Sequence, residues 1–336
     1  MTIWLALLAA LVVIGVAGSL LSRYGDAIAE KRGLSRSWVG LALIATVTSL
    51  PELATGVTSV TFAAAPDIAV GDVLGSCVFN LLILVFLDFL YRKEPVYTLA
   101  RQGHIVSAGF GTAMIGFVGF NLLLYGQGFA PAVLGVGLYS PMLVLIYALA
   151  MRTLFRYERA QVGEFVEQEP TYPGLTMPQA VAGYAASAVV VIAAGVALPF
   201  IGTALAAEMG WGTTFVGTLF VAAVTSAPEV VVTIAALRLG AVDMAMGNLL
   251  GSNLFNLVIL AIDDVFYAPG PLFADVSGTH VASVLSAAMM GGLAITGLVL
   301  RPRSRVLRTV SWVSVLLLAT YLLNVLFLYL LHAQAD

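Results

Sequence analysis

The chain has 336 residues, of which 60% are hydrophobic and 10% charged, with a formal net charge of −3. A soluble domain carries about 25% charged residues, so this composition, with a mean hydropathy of +1.01, points to an integral membrane protein. The weak net charge argues against nucleic-acid binding, and the single cysteine, Cys77, excludes an internal disulfide and reads as a small buried residue.

Hydropathy predicts ten spans: 3–22, 37–61, 69–90, 105–124, 131–150, 179–206, 213–238, 244–262, 280–300 and 309–331. Their lengths suit a hydrocarbon core of about 30 Å crossed at about 1.5 Å per residue. The first resembles a signal peptide at GVAGS, 15–19, but no Lys or Arg precedes it and Arg23 follows, so it reads as a retained helix with its N-terminus outside. With that start, all fifteen basic residues, from Arg23 to Arg308, fall after spans 1, 3, 5, 7 and 9 or at their edges. The positive-inside rule makes those loops cytoplasmic and puts both termini outside.

The outer loops carry Asp67, Glu208, Asp263, Asp264 and Asp275, read as solvated loop ends, and His104, His280 and His332 read as interfacial residues near span ends. The most polar stretch, 151–178, is read as a cytoplasmic linker between a first half, 1–150, and a second, 179–336.

The halves repeat. VTSLPE at 47–52 recurs as VTSAPE at 224–229, and GSCVFN at 75–80 as GSNLFN at 251–256. Setting Glu52 against Glu229 also pairs Val39-Gly40 with Val216-Gly217, Gly71 with Gly247 and Asp88 with Asp264, with one single-residue gap between the two blocks. Five spans per half is an odd number, so the second copy enters the membrane from the other side. The expected fold is therefore all-α, ten transmembrane helices as two inverted five-helix repeats, with a site at their interface near the midplane.

On a helix, Thr48 and Ser49 lie four and three residues before Glu52 and share its face, as Ser76 and Asn80 share one face of the next span. Pro51 and Pro228 deprive the carbonyls of Val47 and Val224 of their helical donors, which at membrane depth suits a cavity lining. Collected from both halves, the set is Glu52, Glu229, Thr48, Ser49, Thr225, Ser226, Ser76, Ser252, Asn80 and Asn256. Every member offers oxygen, as the hard cations Ca²⁺ and Na⁺ require, whereas no His or Cys cluster exists for zinc or copper. A charge at a helix centre costs about 2.5–3.5 kcal/mol, and neither motif contains a Lys or Arg to pair with its glutamate. The two carboxyl groups are then either protonated or holding cations. Close packing accounts for Gly71, Gly75, Gly247 and Gly251, but not for unpaired glutamates at matching positions.

The paired TSxPE and GSxxFN blocks resemble the two α-repeats of the cation/Ca²⁺ exchanger superfamily, closest in pattern to prokaryotic Na⁺/Ca²⁺ exchangers, and the resemblance spans both halves. It implies that Glu52 and Glu229 ligate Ca²⁺ with Thr48 and Thr225, and that Na⁺ sites draw on Ser49, Ser76, Ser226 and Ser252 with the carbonyls of Ala45 and Ala222. Asn80 and Asn256 would complete the central position, and spans 1 and 6 would slide across the other eight. Unlike exchangers with Asp at a central amide position, this chain has Asn at both, so one Ca²⁺ balances the two glutamates and three Na⁺ leave an excess of one. Asp72, whose repeat partner is Asn248, reads as a helix cap in preference to an outer-side ligand.

The resemblance implies a multi-pass antiporter of a prokaryotic inner membrane that exports Ca²⁺ against Na⁺ by alternating access. Its expected partners are inorganic cations and the lipid bilayer, with no cofactor, nucleic acid or protein partner. The alternative is H⁺-coupled exchange of Ca²⁺ or another divalent cation. An intramembrane enzyme would need a nucleophile with a base, and no His or Lys lies at depth, so no enzymatic activity is expected.

Overall fold

The computed structural model describes residues 1–31, 45–99, 101–161, 172, 174–238, 240–306 and 308–332. Arg32, Arg36, the paired Val39-Gly40 and the centre of the expected linker, 162–171, lie outside the described residues.

The first half begins with α1 (Thr2–Lys31). The motif segment is broken into α2 (Ala45–Thr48) and α3 (Leu50–Thr61) at Ser49, whose φ −87° and ψ 12° leave the helical region. Pro51 falls in the first turn of α3, where its missing N–H would have no partner anyway. There follow α4 (Pro66–Leu90), α5 (Gln102–Gly126), a hairpin of β1 (Ala132–Val133) and β2 (Val136–Gly137), and α6 (Tyr139–Gln161).

The second half opens with α7 (Met177–Met209), started by a reciprocal Thr176–Gln179 cap and ended by Gly210 at φ 66°. Its motif segment runs through α8 (Thr213–Val216), a π-helical turn Gly217–Val221, α9 (Ala222–Thr225) and α10 (Ala227–Arg238), bent by 41° at Ser226. Then come α11 (Val242–Phe266), α12 (His280–Leu300), a hairpin of β3 (Arg305–Val306) and β4 (Val310–Ser311), and α13 (Trp312–His332).

Among the described residues seven helices are long and apolar enough to cross a membrane, α1, α4, α5, α7, α11, α12 and α13, and the bent α8–α10 segment makes an eighth. The protein is thus a predominantly helical, multi-pass membrane protein, and its rim helices expose Leu, Val and Phe side chains suited to lipid.

Several span boundaries differ from the sequence expectation, beginning with span 1, whose expected end at 22 α1 passes to reach Lys31. Residues 132–137 form a hairpin, not the start of span 5, because Leu134 (φ 54°) and Gly135 (φ 83°) reverse the chain within an apolar stretch that hydropathy reads as helix. Arg308 (φ 58°) turns the equivalent hairpin ahead of α13. The expected linker also begins later, since α6 continues to Gln161.

Packing places α4 and α11 at the centre, buried along most of their length. They cross at their midpoints, where Asn80 Nδ2 donates to Asn253 Oδ1 at 3.0 Å and Asn253 Nδ2 to the Cys77 carbonyl at 3.2 Å. Cys77 is buried and free, as expected. Helices α1 and α7 lie antiparallel along one side: Met1 meets Glu208 at one end, and the Tyr24 ring fills the space beside Gly183 at the other. Each touches the motif segment of the opposite half, Gly18 seating the Pro228 ring and Gly195 seating Pro51 and Ala54.

Several acids and histidines expected near water are buried instead. Asp264 accepts from Gly137 N (2.8 Å), Leu272 N (2.7 Å), Tyr139 OH (2.6 Å) and Ser140 Oγ (2.5 Å). Its repeat partner Asp88 accepts from Val96 N (3.1 Å), Ser311 N (2.6 Å) and Ser314 Oγ (2.7 Å). Each aspartate therefore clamps the hairpin and helix start of the other half. Asp263 is likewise buried within α11, not solvated. His104 Nε2 pairs with Asp243 Oδ1 at 2.7 Å and His280 Nε2 with Asp67 Oδ1 at 2.9 Å, again across the halves, so both histidines, at the starts of α5 and α12, are buried against a carboxylate. Hydropathy gave no sign of the buried pairs of Asp264, Asp88, His104 and His280 because it cannot see a partner contributed by the other half.

Asp264→Ala leaves the buried amides of Gly137 and Leu272 without an acceptor, at a cost of about 1–3 kcal/mol each. Thermal unfolding in detergent is expected several degrees lower, and an unchanged midpoint would remove the clamp.

Candidate ion-binding site

The two TSxPE segments meet α4 and α11 at the central crossing and form two mirrored clusters. In one, Glu52 Oε1 accepts from Ser76 Oγ and Ser226 Oγ, both at 3.3 Å, and Ser226 Oγ donates to Ser76 Oγ at 3.0 Å. Thr225 Oγ1 donates to Asp72 Oδ1 at 2.7 Å and shares a 3.4 Å hydrogen bond with Ser76. In the other, Glu229 Oε1 accepts from Ser252 Oγ at 3.2 Å, with the Thr48 and Ser49 hydroxyls beside it. Thr48 Oγ1 donates to Asn248 Oδ1 at 3.3 Å and shares a 3.2 Å hydrogen bond with Ser252. Each cluster thus combines a carboxylate, hydroxyls from both halves, and Asp72 or its partner Asn248.

The helix breaks position these groups. Ser49 N and Thr48 Oγ1 both donate to the Ala45 carbonyl at 3.2 Å, and Ser226 N (3.0 Å) and Thr225 Oγ1 (3.2 Å) to that of Ala222. The carbonyls of Ala45 and Ala222, implied as Na⁺ ligands, are therefore engaged within the breaks in this arrangement. Close approach of α4 to the opposite motif segment depends on glycine. A Cβ on Gly71 would lie 3.0 Å from Thr218 N, and one on Gly75 would overlap the Thr218 carbonyl, both on the π-helical turn.

All ten side chains of the sequence-derived set are fully buried. Asn80 and Asn256 behave differently: Asn80 spends its amide N–H on Asn253, whereas neither polar atom of Asn256 has a partner. Asp72 is no helix cap. It lies in the second turn of α4, aimed at Thr225. Asn248 and Asn253 also belong to this layer, and sequence reasoning missed both. The pairing of Asn248 with Asp72 was a usable signal, while Asn253 replaces Cys77 in the repeat and carried none.

Buried polar atoms are rarely left unpaired, yet Glu52 Oε2, Glu229 Oε2, Asp72 Oδ2, Asn80 Oδ1, Asn256 Oδ1 and Ser49 Oγ all lack a hydrogen-bond partner among the described residues. All are hard oxygen donors, the chemistry that binds Na⁺ or Ca²⁺. Glu52, Glu229 and Asp72 lie within electrostatic reach of one another, although among the described residues no three acidic, His or Cys side chains converge on one metal-sized point. In this arrangement hydroxyl donors face the carboxylates; rotation about the Cβ–Oγ bond would turn their lone pairs to a cation instead.

The family model described as sodium/calcium exchanger protein matches residues 2–155 and 179–330. The chain is 26% identical over 241 residues to the inner membrane protein YrbG of Escherichia coli (strain K12), covering 70% of each. It is 26% identical over 293 residues to the sodium/calcium exchanger MaX1 of Methanosarcina acetivorans, covering 79% of this chain and 83% of the relative. Its fold is similar to that of the solved exchanger NCX_Mj, with a TM-score of 0.63 at 18% identity over 97% of this chain and 98% of the other. With the duplicated oxygen-lined clusters already in place at the crossing of α4 and α11, the match over both halves means that this chain belongs to the sodium/calcium exchanger protein family of membrane antiporters.

Proposed function

We propose that the protein exports Ca²⁺ in exchange for Na⁺ by alternating access, through ten transmembrane helices arranged as two inverted repeats, 1–150 and 179–336, joined by a cytoplasmic linker. The observation that carries this reading is the mirrored pair of clusters around Glu52 and Glu229, with unpaired oxygens and, among the described residues, no cationic side chain as a hydrogen-bond partner. The antiparallel packing of α1 on α7 and the exchange of Asp88 and Asp264 between the halves support inversion. Residues expected to be cytoplasmic also gather at one end, where Arg305 bonds the Tyr91 carbonyl and Arg101 meets Asp243.

Asp72 alters the charge arithmetic. With it, three carboxyl groups share the site, a charge that three Na⁺ would neutralise, or one Ca²⁺ with one proton. Ca²⁺ would be held by Glu52, Glu229, Thr48 and Thr225, and Na⁺ by Ser49, Ser76, Ser226 and Ser252, with the Ala45 and Ala222 carbonyls released from their hydrogen bonds. Asn80 and Asn256 would complete the central position. Helices α1 and α7 would slide over the motif segments at their Gly18 and Gly195 contacts.

Ca²⁺ flux in proteoliposomes under an imposed Na⁺ gradient tests the coupling, and a flux with no Na⁺-dependent component would overturn it. Three buried carboxyl groups, with no basic partner among the described residues, also favour a second reading in which protons are the counter-ion. A pH gradient that replaces Na⁺ in the same assay would select that reading.

A further inference from the structure

Asp263 has no role in either cluster. Among the described residues it is the acid whose two carboxyl oxygens are both buried and both without a hydrogen-bond partner. Its neighbour Asp264 is fully engaged in the hairpin clamp. Its equivalent in the first half, beside Asp88, is the fully buried Leu87, so a position built for an apolar side chain holds a carboxyl group here.

The carboxyl group is pressed on Gly56 of α3, one turn beyond Glu52, and a Cβ at Gly56 would overlap both oxygens. The ionisable groups within electrostatic reach are Asp72 of α4 and Asp264 of the same helix. Helix α3 contributes Glu52, and α6 contributes Tyr139, whose hydroxyl is committed to Asp264. Among the described residues no basic group balances a negative charge at this spot, and such a charge is costly in an apolar interior. A metal ion needs several oxygens around it, and among the described residues no converging group of acids is present there. A proton needs only one oxygen.

We propose that Asp263 is a proton-binding carboxyl group linked to ion exchange, neutral while Gly56 of α3 is packed against it and ionised when α3 moves away. On opening, the O–H bond breaks and the proton passes to water entering the gap. On closing, a proton from the same solution restores the acid. The inference rests on the antiport reading and adds one movement to it: α3, which packs on α7 through Pro51, Ala54 and the Thr55 hydrogen bond to the Gly195 carbonyl, shifts with α7 as α7 slides.

Infrared spectra of the purified, Ca²⁺-saturated protein test the protonation directly, because Ca²⁺ leaves no more than one proton on the three carboxyl groups of the site. Variant-minus-parent difference spectra should show the loss of one protonated-acid carbonyl stretch in Asp263→Asn and in Asp263→Leu, which restores the residue of the first half. Difference spectra in which neither substitution removes such a band would overturn the proposal. In proteoliposomes, deprotonation opposes the packed arrangement, so parent flux should fall at least about threefold from mildly acidic to mildly alkaline pH. Both variants should transport with a flat profile, and a parent-like profile in them would also overturn it. Loss of Na⁺ dependence with the band intact would instead count against the Na⁺ coupling alone.

Discussion

Glu52→Gln is expected to abolish exchange, lowering Ca²⁺ flux at least about 100-fold, a loss of roughly 2.7 kcal/mol in the turnover barrier. Glutamine keeps the volume and one acceptor oxygen, so Ser76 and Ser226 retain a partner. The substitution removes the charge that offsets a dication stripped of water. Glu229→Gln should do the same through Ser252. Neither change should unfold the protein, since each takes an unpaired buried charge out of an apolar interior, and the melting temperature without ions should stay level or rise. The stabilisation that Ca²⁺ confers on the folded state should vanish with the charge. Ca²⁺ flux and a Ca²⁺-dependent melting shift measured on both variants separate these outcomes, and retained transport in both would remove the pair from the site.

Gly18→Leu is the second large effect. Gly18 of α1 faces Pro228, and a Cβ there already overlaps the proline ring, which is fixed to the backbone and cannot swing aside. A leucine wedges α1 away from the bend at Ser226 and roughens the surface over which it would slide. Flux should fall at least about tenfold, while the oxygen clusters, built from α2–α4 and α9–α11, keep their Ca²⁺-dependent melting shift. Gly195→Leu should reproduce the defect, because Gly195 seats Pro51 at the equivalent position and its carbonyl accepts from Thr55 Oγ1 at 3.2 Å. Normal transport in both variants would exclude sliding at these contacts.

Much of the site was legible because its residues are duplicated at fixed spacing. Glu52, Thr48 and Ser49, with their copies, stand where helical geometry puts hydroxyls beside a carboxylate, and the structure brings both copies to one crossing. The sequence points to a break at Pro51 and Pro228, and the chain departs from helix two residues earlier, at Ser49 and Ser226, because a proline ring restricts the backbone on its N-terminal side more than on its C-terminal side.

Composition and periodicity alone determined that this is a helical membrane protein built on a repeated oxygen-rich motif, since burial in lipid demands apolar spans and a carboxylate inside one demands a purpose. Tertiary structure alone decided which polar groups belong to the scaffold. Asp88, Asp264, His104 and His280 each find their partner in the opposite half, and Asp72 joins the site through a threonine 153 positions away. Hydropathy weighs each residue against water or lipid. The swapped contacts of two interlocked halves offer a third environment, another polar side chain, and only the folded packing shows where it is.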